Sequence, residues 1–255
     1  MSATKTLPAL LRELASQGQQ SELGGERHLI LFGGSFDPPH LGHLAIAEHA
    51  ARELASSQGL SSQQIAVVVV PAAASPHKQS GPRASDDARL RMLSATLAES
   101  PLRSIVWPCE LQRPAPSYTI DTLRQATIEL AEESRRNTAR LHLLLGGDQA
   151  VALHAWSHPH ELLTLAEPLI VPRPPLADAA ELMMQIAARS GRTWSAMELA
   201  QVGGGIVAPL PESTRGKHTG STLVRQLAAS GNWAGLADHL ASGVIEQLRA
   251  ANPYR

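Results

Sequence analysis

The chain has little of what marks a secreted, membrane-bound or nucleic-acid-binding protein. It has one cysteine, Cys109, in 255 residues, so no internal disulfide can form, and a lone thiol suits a reducing cytoplasm. The formal net charge is −1, from 22 basic and 23 acidic residues, so no overall field attracts nucleic acid or acidic membranes. No apolar run is long enough to span a membrane, and polar residues interrupt the run 7–14, which argues against a secretory signal. We therefore expect a cytoplasmic protein that binds neither nucleic acid nor membranes.

What the chain does have is a regular alternation of strand-like and helix-like segments. Short apolar or β-branched runs predict strands at 28–32, 65–70, 105–107, 141–145, 169–171 and 206–208. Capped or periodic segments predict helices behind residue 41, from about 85, and at 119–133, 160–165, 177–188, 221–229 and 236–249. This order favours an α/β fold, with a doubly wound, Rossmann-like parallel sheet and C-terminal helices.

The two ends of this pattern predict the domain organisation. Residues 1–26 are mostly polar and rich in Gly, Gln and Ser, so they are expected to form a mobile N-terminal extension outside the fold. Residues 27–255 are long enough to bury a substantial core and are expected to form one domain. The sequence leaves the oligomeric state open, a homo-oligomer included.

The most informative segment follows the first predicted strand and reads Gly33-Gly34-Ser35-Phe36-Asp37-Pro38-Pro39-His40-Leu41-Gly42-His43. Its glycines allow a ligand to approach the backbone closely. Asp37 is expected to cap a helix with a proline at its first position. His40 and His43 then share the first turn, where N–H groups and the helix dipole favour an anion, so two imidazoles can hold a phosphate. An isolated His-x-x-His pair is also typical of surface histidines or of half a metal site.

Ligands of such sheets bind beyond the carboxyl ends of the strands, and further polar segments follow the predicted strands. Lys78 lies in the loop after the second strand, where it can reach a phosphate or simply be an exposed lysine. Tyr118 and Thr119 lie at the start of a predicted helix after the third strand. Free N–H groups there can seat a carboxylate, although capping alone would also explain the segment.

Two later segments complete the set. Gly146 and Asp148 end the fourth strand, and Trp156 and Ser157 follow eight and nine positions after Asp148. An indole can stack on a flat cationic ring or simply fill core. A zinc cluster is the other reading of the nearby histidines, but we expect them to be surface residues because no convincing fourth ligand accompanies them. These histidines are His154, His158 and His160.

Near the end of the chain, Gly220-Ser221-Thr222-Leu223-Val224-Arg225 begins a helix whose hydroxyl and N–H groups can cradle phosphates. An ordinary capped helix with an exposed arginine is the alternative. The preceding segment 214–218 is basic and would add positive charge near the same place.

Taken in order, these segments resemble the nucleotidyltransferase superfamily, whose signature is Gly-Gly-x-Phe-Asp-Pro-x-His-x-Gly-His. Within it they resemble the bacterial nicotinate-mononucleotide adenylyltransferases, with a match to Arg-x-x-Pro-Ser-Tyr-Thr-x-Asp-Thr-Leu at 113–123. Two departures are small: Ser75 stands where the family has a second proline before His77, and Gly220 replaces the first serine of Ser-Ser-Thr-x-Ile-Arg. The second departure puts one hydroxyl contact to phosphate in doubt.

The resemblance implies the substrates and the residues that hold them. It implies catalytic roles for His40, His43, Lys78 and Arg225. ATP is expected at Gly33, Gly34, Ser35, Phe36, His40, His43, Gly146, Asp148, Ser221, Thr222 and Arg225. Nicotinate mononucleotide is expected at Lys78, Tyr118, Thr119, Trp156 and Ser157.

The implied reaction is adenylyl transfer from ATP, with Mg²⁺ delivered by ATP, to nicotinate mononucleotide, which gives deamido-NAD and pyrophosphate. Backbone N–H donors favour the acid over the amide form of the substrate. The alternatives are a pantetheine-phosphate adenylyltransferase or a cytidylyltransferase, and a non-catalytic nucleotide-binding sensor on the same fold.

Overall fold

The structure is a computed structural model that describes residues 5–17, 27–74, 81–133, 139–174, 176–191, 193–214 and 219–255. The strands are β1 (Arg27–Gly34), β2 (Ile65–Pro71), β3 (Ser104–Val106), β4 (Ala139–Gly146) and β5 (Glu167–Val171). The α-helices are α1 (Leu7–Gln17), α2 (Leu41–Gln58), α3 (Asp86–Leu97), α4 (Thr119–Glu133), α5 (Gly147–Ala152), α6 (Pro159–Leu165), α7 (Ala179–Ser190), α8 (Ala196–Gly204), α9 (Ser221–Ala229), α10 (Trp233–Leu236) and α11 (Ser242–Ala250). None of the helices in these ranges has the length and hydropathy needed to cross a bilayer.

The five strands form one all-parallel sheet in the order β3-β2-β1-β4-β5. This confirms the predicted doubly wound α/β fold. The strand order reverses between β1 and β4, since β2 and β3 lie on one side of β1 while β4 and β5 lie on the other. In open parallel sheets, such a reversal creates a crevice beyond the carboxyl ends of the two central strands.

Both faces of the sheet are covered, as the continuous apolar strands predict. In β1, Leu29 and Leu31 belong to one buried cluster, whereas Ile30 and Phe32 belong to a second cluster on the opposite face. β2 is buried along its whole length. A third cluster joins α3 to the C-terminal helices, with Met92, Val224 and Val244 among its members.

Part of the segment expected outside the fold packs onto it. α1 buries Leu7 and Leu11 in the first cluster, and the Leu7 N–H donates to Glu129 Oε2 of α4 at 2.7 Å. The expectation of an external extension is therefore wrong for residues 7–17. Residues 18–26 lie outside the described residues.

Two other expectations about the C-terminal half are corrected. The predicted strand 206–208 is reduced to a single bridge between Ile170 and Ile206. A Cβ on Gly205 would lie 2.2 Å from the Pro168 carbonyl oxygen, so a glycine is needed where the backbone approaches β5 this closely. The predicted helix 236–249 is divided into α10 and α11 by residues 237–241.

Candidate active site

A cavity of about 460 Å³ opens beyond the carboxyl ends of β1 and β4. Its volume is that of a small-molecule site. It brings together twelve of the sixteen predicted site residues: Gly33, Gly34, Ser35, His40, His43, Tyr118, Thr119, Gly146, Asp148, Trp156, Ser157 and Ser221. Segments that are up to 188 residues apart in the sequence therefore face one space, from Gly33 to Ser221.

The two histidines lie where α2 begins, but the helix is capped differently from the expectation. α2 starts at Leu41 with His40 at the N-cap, and the His40 N–H donates to Nδ1 of His43 at 3.2 Å. Because Nδ1 accepts this bond, the proton of a neutral His43 ring is on Nε2. Asp37, which was expected to cap the helix, is turned away, and its carboxylate accepts hydrogen bonds from the N–H groups of Arg83 and Ala84.

The electrostatics of His40 are unusual. Burial, together with the nearby Arg173, His239 and Arg225 side chains, lowers the pKa of His40 to about 3. The ring is therefore neutral near pH 7 and stacks on His43 with ring centroids 3.6 Å apart. Its buried Nδ1 has no hydrogen-bond partner within the described part of the chain. The positive charges that keep His40 neutral also favour an anion in the cavity.

The turn between β1 and α2 holds a strained residue. Phe36 is buried and has φ of 45°, a left-handed conformation that bulky side chains rarely adopt. Its ring packs against Gly34, where a Cβ would lie only 3.0 Å from the ring, and contacts His43 edge-on. Phe36 does not line the cavity, so it shapes the turn instead of contacting a ligand there.

A buried arginine that sequence reasoning missed supports the same turn. The Nη1 of Arg89 donates to the carbonyl oxygens of Ser35 at 2.7 Å and Ala72 at 2.8 Å, so it joins the ends of β1 and β2. Its Nη2 donates to Asp86 at 2.7 Å, and its side chain is fully buried. Nothing in the sequence distinguishes Arg89 from an exposed helical arginine.

The N-terminus of α9 forms another wall of the cavity. Gly220 and Ser221 line it, and among the described residues that are distant in sequence none has an atom within 4 Å of a Cβ built on Gly220. Thr222 and Arg225 follow in the same helical turn but are not among the lining residues: the Arg225 guanidinium donates to the Asp37 carbonyl oxygen at 2.9 Å and to Thr222 Oγ1 at 3.2 Å. Arg225 thus connects α9 to the turn that precedes His40.

The start of α4 lines the cavity with Tyr118 and Thr119. The Oγ of Ser117, just before α4, accepts a hydrogen bond from the Ala73 N–H at 3.1 Å, which fixes the start of α4 to the segment after β2. Glu110, which sequence reasoning also missed, is buried in the same wall, and its carboxylate accepts a hydrogen bond from Thr122 Oγ1 at 2.6 Å. This wall combines helix N–H groups with one buried carboxylate.

Trp156 is half-buried, with one part packed on the first hydrophobic cluster and another part lining the cavity. The three histidines near it do not converge. The ring of His154 lies edge-on to Trp194, His158 Nδ1 pairs with Ser157 Oγ at 2.8 Å, and His160 pairs with Glu198. The zinc reading therefore has no geometric support within the described residues, where no group of three metal-ligating side chains occurs.

The remaining predicted residue, Lys78, lies outside the described residues, as do residues 215–218. Arg173 is a further cavity residue that sequence reasoning missed. Its guanidinium lies 3.8 Å from the exposed Asp148 carboxylate. Its position directly after β5 was the available signal, because the carboxyl ends of parallel strands meet at one edge.

Comparison with known proteins identifies close relatives in sequence. The sequence model of the cytidylyltransferase-like family matches residues 31–227. A "probable nicotinate-nucleotide adenylyltransferase" of Stenotrophomonas maltophilia is 33% identical over 237 residues, which cover 89% of this chain and 96% of that protein. A protein of the same name from Chromobacterium violaceum is 37% identical over 150 residues, 59% of this chain and 64% of the relative.

Solved structures resemble the chain in fold. A structure titled nicotinic acid mononucleotide adenylyltransferase of Plasmodium falciparum, complexed with NaAD, matches with a TM-score of 0.60 over 90% of this chain and 98% of that chain. At 13% sequence identity, this likeness concerns the fold alone.

Proposed function

The chain belongs to the cytidylyltransferase-like family and, within it, to the nicotinate-nucleotide adenylyltransferases, and from this premise we propose that it transfers an adenylyl group from ATP to nicotinate mononucleotide. The products are deamido-NAD and pyrophosphate, so the reaction is a step of NAD biosynthesis. We further propose that residues 27–255, with α1 packed against them, act as one nucleotidyltransferase domain. That the protein acts in the cytoplasm stays a prediction from the sequence.

One observation carries this proposal: a single cavity is lined both by residues suited to holding phosphates and by an aromatic side chain with a helix N-terminus. His40, His43 and the start of α9 provide the first set, and Thr119 and Trp156 provide the second. A triphosphate and a flat ring bearing a carboxylate are the chemical groups that these two sets suit. Both substrates must occupy one space for the transfer to occur.

In this assignment the 5′-phosphate oxygen of the mononucleotide attacks the α-phosphorus of ATP, and the bond from that phosphorus to the pyrophosphate oxygen breaks. The attacking phosphate is already ionised, so the protein needs no nucleophile of its own. Positioning and electrostatic stabilisation supply the rate. We assign a hydrogen bond to the developing charge to His43, and contacts with the β- and γ-phosphates to Ser221, Thr222 and Arg225.

The neutral state of His40 gives it a defined part in this scheme. A neutral ring donates one N–H, and because Nδ1 and Nε2 cannot both donate, His40 acts as a hydrogen-bonding group and not as a cation. The permanent positive charge at this end then comes from Arg225 and Arg173, which already act on His40. Lys78 is proposed to contact the mononucleotide phosphate.

The proposal also covers the metal and the ring substituent. Members of this class use a divalent metal with ATP, and we propose Mg²⁺, bound to the triphosphate as part of the substrate. Trp156 is assigned to stacking on the pyridinium ring, and the N–H groups of Thr119 and Ser157 to its carboxylate. Such donors leave an amide less well satisfied than an acid, which supports nicotinate over nicotinamide mononucleotide.

The experiment is a comparison of phosphate acceptors. The protein is incubated with ATP and Mg²⁺ together with nicotinate mononucleotide, nicotinamide mononucleotide or phosphopantetheine, and with CTP and phosphocholine in a separate reaction, while pyrophosphate release is followed. We expect the highest kcat/KM with nicotinate mononucleotide. Preference for phosphopantetheine or phosphocholine would support the other transferase reactions, and nucleotide binding without any pyrophosphate release would support a sensor.

A further inference from the structure

The residues after α11 return to the turn that precedes the two histidines. The Tyr254 hydroxyl donates a hydrogen bond to Asp37 Oδ1 at 2.9 Å, although 217 residues separate the two. Tyr254 is 2% exposed and packs in the third hydrophobic cluster. Asn252 also fixes the segment after α11. Its Nδ2 donates to the Ala228 carbonyl oxygen at 2.8 Å, and its Oδ1 accepts from the Tyr254 N–H at 3.0 Å.

Asp37 is the point at which several separate segments meet. One carboxylate oxygen accepts the Arg83 N–H at 2.9 Å, and the other accepts both the Ala84 N–H at 3.1 Å and the Tyr254 hydroxyl. Its carbonyl oxygen accepts Nη1 of Arg225. Asp37 and Tyr254 are both buried, and neither is among the residues that line the cavity. This arrangement is therefore suited to holding the turn and not to contacting a substrate.

We propose that Tyr254 is a positioning residue for adenylyl transfer, which holds Asp37 and, through it, aligns Arg225 and His40 with the triphosphate. The inference rests on the proposed function. Burial and the nearby Asp37 carboxylate raise the pKa of the Tyr254 hydroxyl, so it is a hydrogen-bond donor at neutral pH.

The Tyr254 hydroxyl stabilises the buried negative charge of Asp37. Without it, Asp37 Oδ1 keeps the Ala84 N–H as its remaining partner in the described structure, in a site where a buried charge is costly. The turn also contains Phe36 in its strained conformation, which persists only while its surroundings hold it. A small shift of Asp37 would move the carbonyl oxygen that orients Arg225. In-line transfer is sensitive to displacements of about 1 Å.

The test compares Tyr254→Phe with Leu248→Ala in the full chain. The first variant removes one oxygen atom and keeps the ring. The second removes buried apolar volume from the same cluster, where Leu248 is 1% exposed, without changing a polar contact to Asp37. For each protein, kcat and KM for both substrates are measured by pyrophosphate release, ATP affinity by calorimetry, and the melting temperature by circular dichroism.

We expect Tyr254→Phe to lower kcat about tenfold, because a shift of less than about 1 Å in the groups that Asp37 positions weakens their contacts with the triphosphate, and to weaken ATP binding severalfold. The KM for nicotinate mononucleotide should change by less than twofold. Leu248→Ala should lower the melting temperature and leave kcat and ATP affinity unchanged at temperatures where it is folded. Asn252→Ala, one step further from Asp37, should change kcat in the same direction by a smaller factor.

The proposal is overturned if Tyr254→Phe has wild-type kcat and ATP affinity, or if it differs from wild type in melting temperature alone. It is also overturned if Leu248→Ala lowers kcat as much as Tyr254→Phe does. Should the wild type bind ATP but release no pyrophosphate with any acceptor, the proposed function fails, while the ATP affinities of the two variants still decide whether Tyr254 positions the turn.

Discussion

The amino and carboxyl ends of the two central strands, β1 and β4, differ in whether buried histidines nearby have hydrogen-bond partners. In their amino-terminal halves, His28 and His142 are buried and pair with each other, with Nδ1 of His28 and Nε2 of His142 3.0 Å apart. At their carboxyl ends, His40 is equally buried, but its Nδ1 has no partner within the described residues, and Phe36 is strained. Buried imidazoles are thus satisfied by the protein at one end and left available at the other.

The difference indicates that the carboxyl end is less favourable for folding stability and better suited to binding a ligand. Buried polar groups are normally paired, because leaving one unpaired costs about 1–3 kcal/mol. The amino end follows this rule, and Glu167 lies within 3.6 Å of His142 as a further polar neighbour. The carboxyl end departs from it at a cavity lined by Arg173 and by the start of α9, where an anionic ligand can supply the missing interactions. The two ends therefore make different predictions for substitution.

The largest expected effect is at the carboxyl end. We expect His43→Ala to lower kcat by about two orders of magnitude, the scale of removing one donor to transition-state charge. Pyrophosphate release with ATP and nicotinate mononucleotide measures it. The substitution also removes the Nδ1 that accepts the His40 N–H, so part of the loss reflects the start of α2.

The matched control is His160→Ala. His160 is exposed, pairs with Glu198 and lies outside the cavity, so its removal should leave kcat within twofold of wild type. Near-normal turnover of His43→Ala, or an equal loss in both variants, would contradict the assignment of His43 to the reacting phosphates.

A smaller effect is expected when the pH is lowered, because His40 then decreases the free energy of unfolding. The pKa of His40 is about 3 in the folded protein and about 6.5 when unfolded, so between these values the unfolded chain binds more protons. The stability associated with neutral His40 is fully present above pH 6.5 and is lost as the pH falls toward 3. From pH 7 to pH 5, His40 should lower the free energy of unfolding by about 2 kcal/mol.

Urea unfolding of the wild type and of His40→Gln at both pH values measures this contribution. The variant cannot titrate at this position, so its stability should fall by about 2 kcal/mol less than that of the wild type over the same interval. Equal losses in the two proteins would mean that the buried ring is not held neutral. That result would also remove the reason for assigning the cationic role to the arginines.

The same contrast explains how much could be predicted from sequence. The strands were predictable because runs such as 65–70 are apolar without interruption, which occurs where a parallel sheet is covered on both faces. The shared cavity was also predictable in outline, because Gly33 and Gly146 end strands and the carboxyl ends of parallel strands meet at one edge. Local pattern and topology were sufficient for both.

What could not be predicted depends on partners far away in the chain. The carboxylate of Asp37 looks like a helix cap in sequence, but the distant Tyr254 and residues 83–84 engage it instead. The short apolar stripe of α1 is buried only because α4 lies beside it. The role of Arg89 likewise depends on two carbonyl groups that no local pattern places near it.

The smallest effect is expected at the amino end, from a double-mutant cycle of His28→Leu and His142→Leu. Each single substitution breaks the 3.0 Å hydrogen bond and should lower the free energy of unfolding by about 1–2 kcal/mol. The double variant should lose less than the sum, with a coupling of about 1 kcal/mol, because apolar groups then replace both partners. Urea unfolding measures the free energy of unfolding of all four proteins.

Since neither histidine lines the cavity, kcat should stay within twofold of wild type. Additive losses would show that the pair contributes no coupling, and a large fall in kcat would show that the two ends of the strands are not independent.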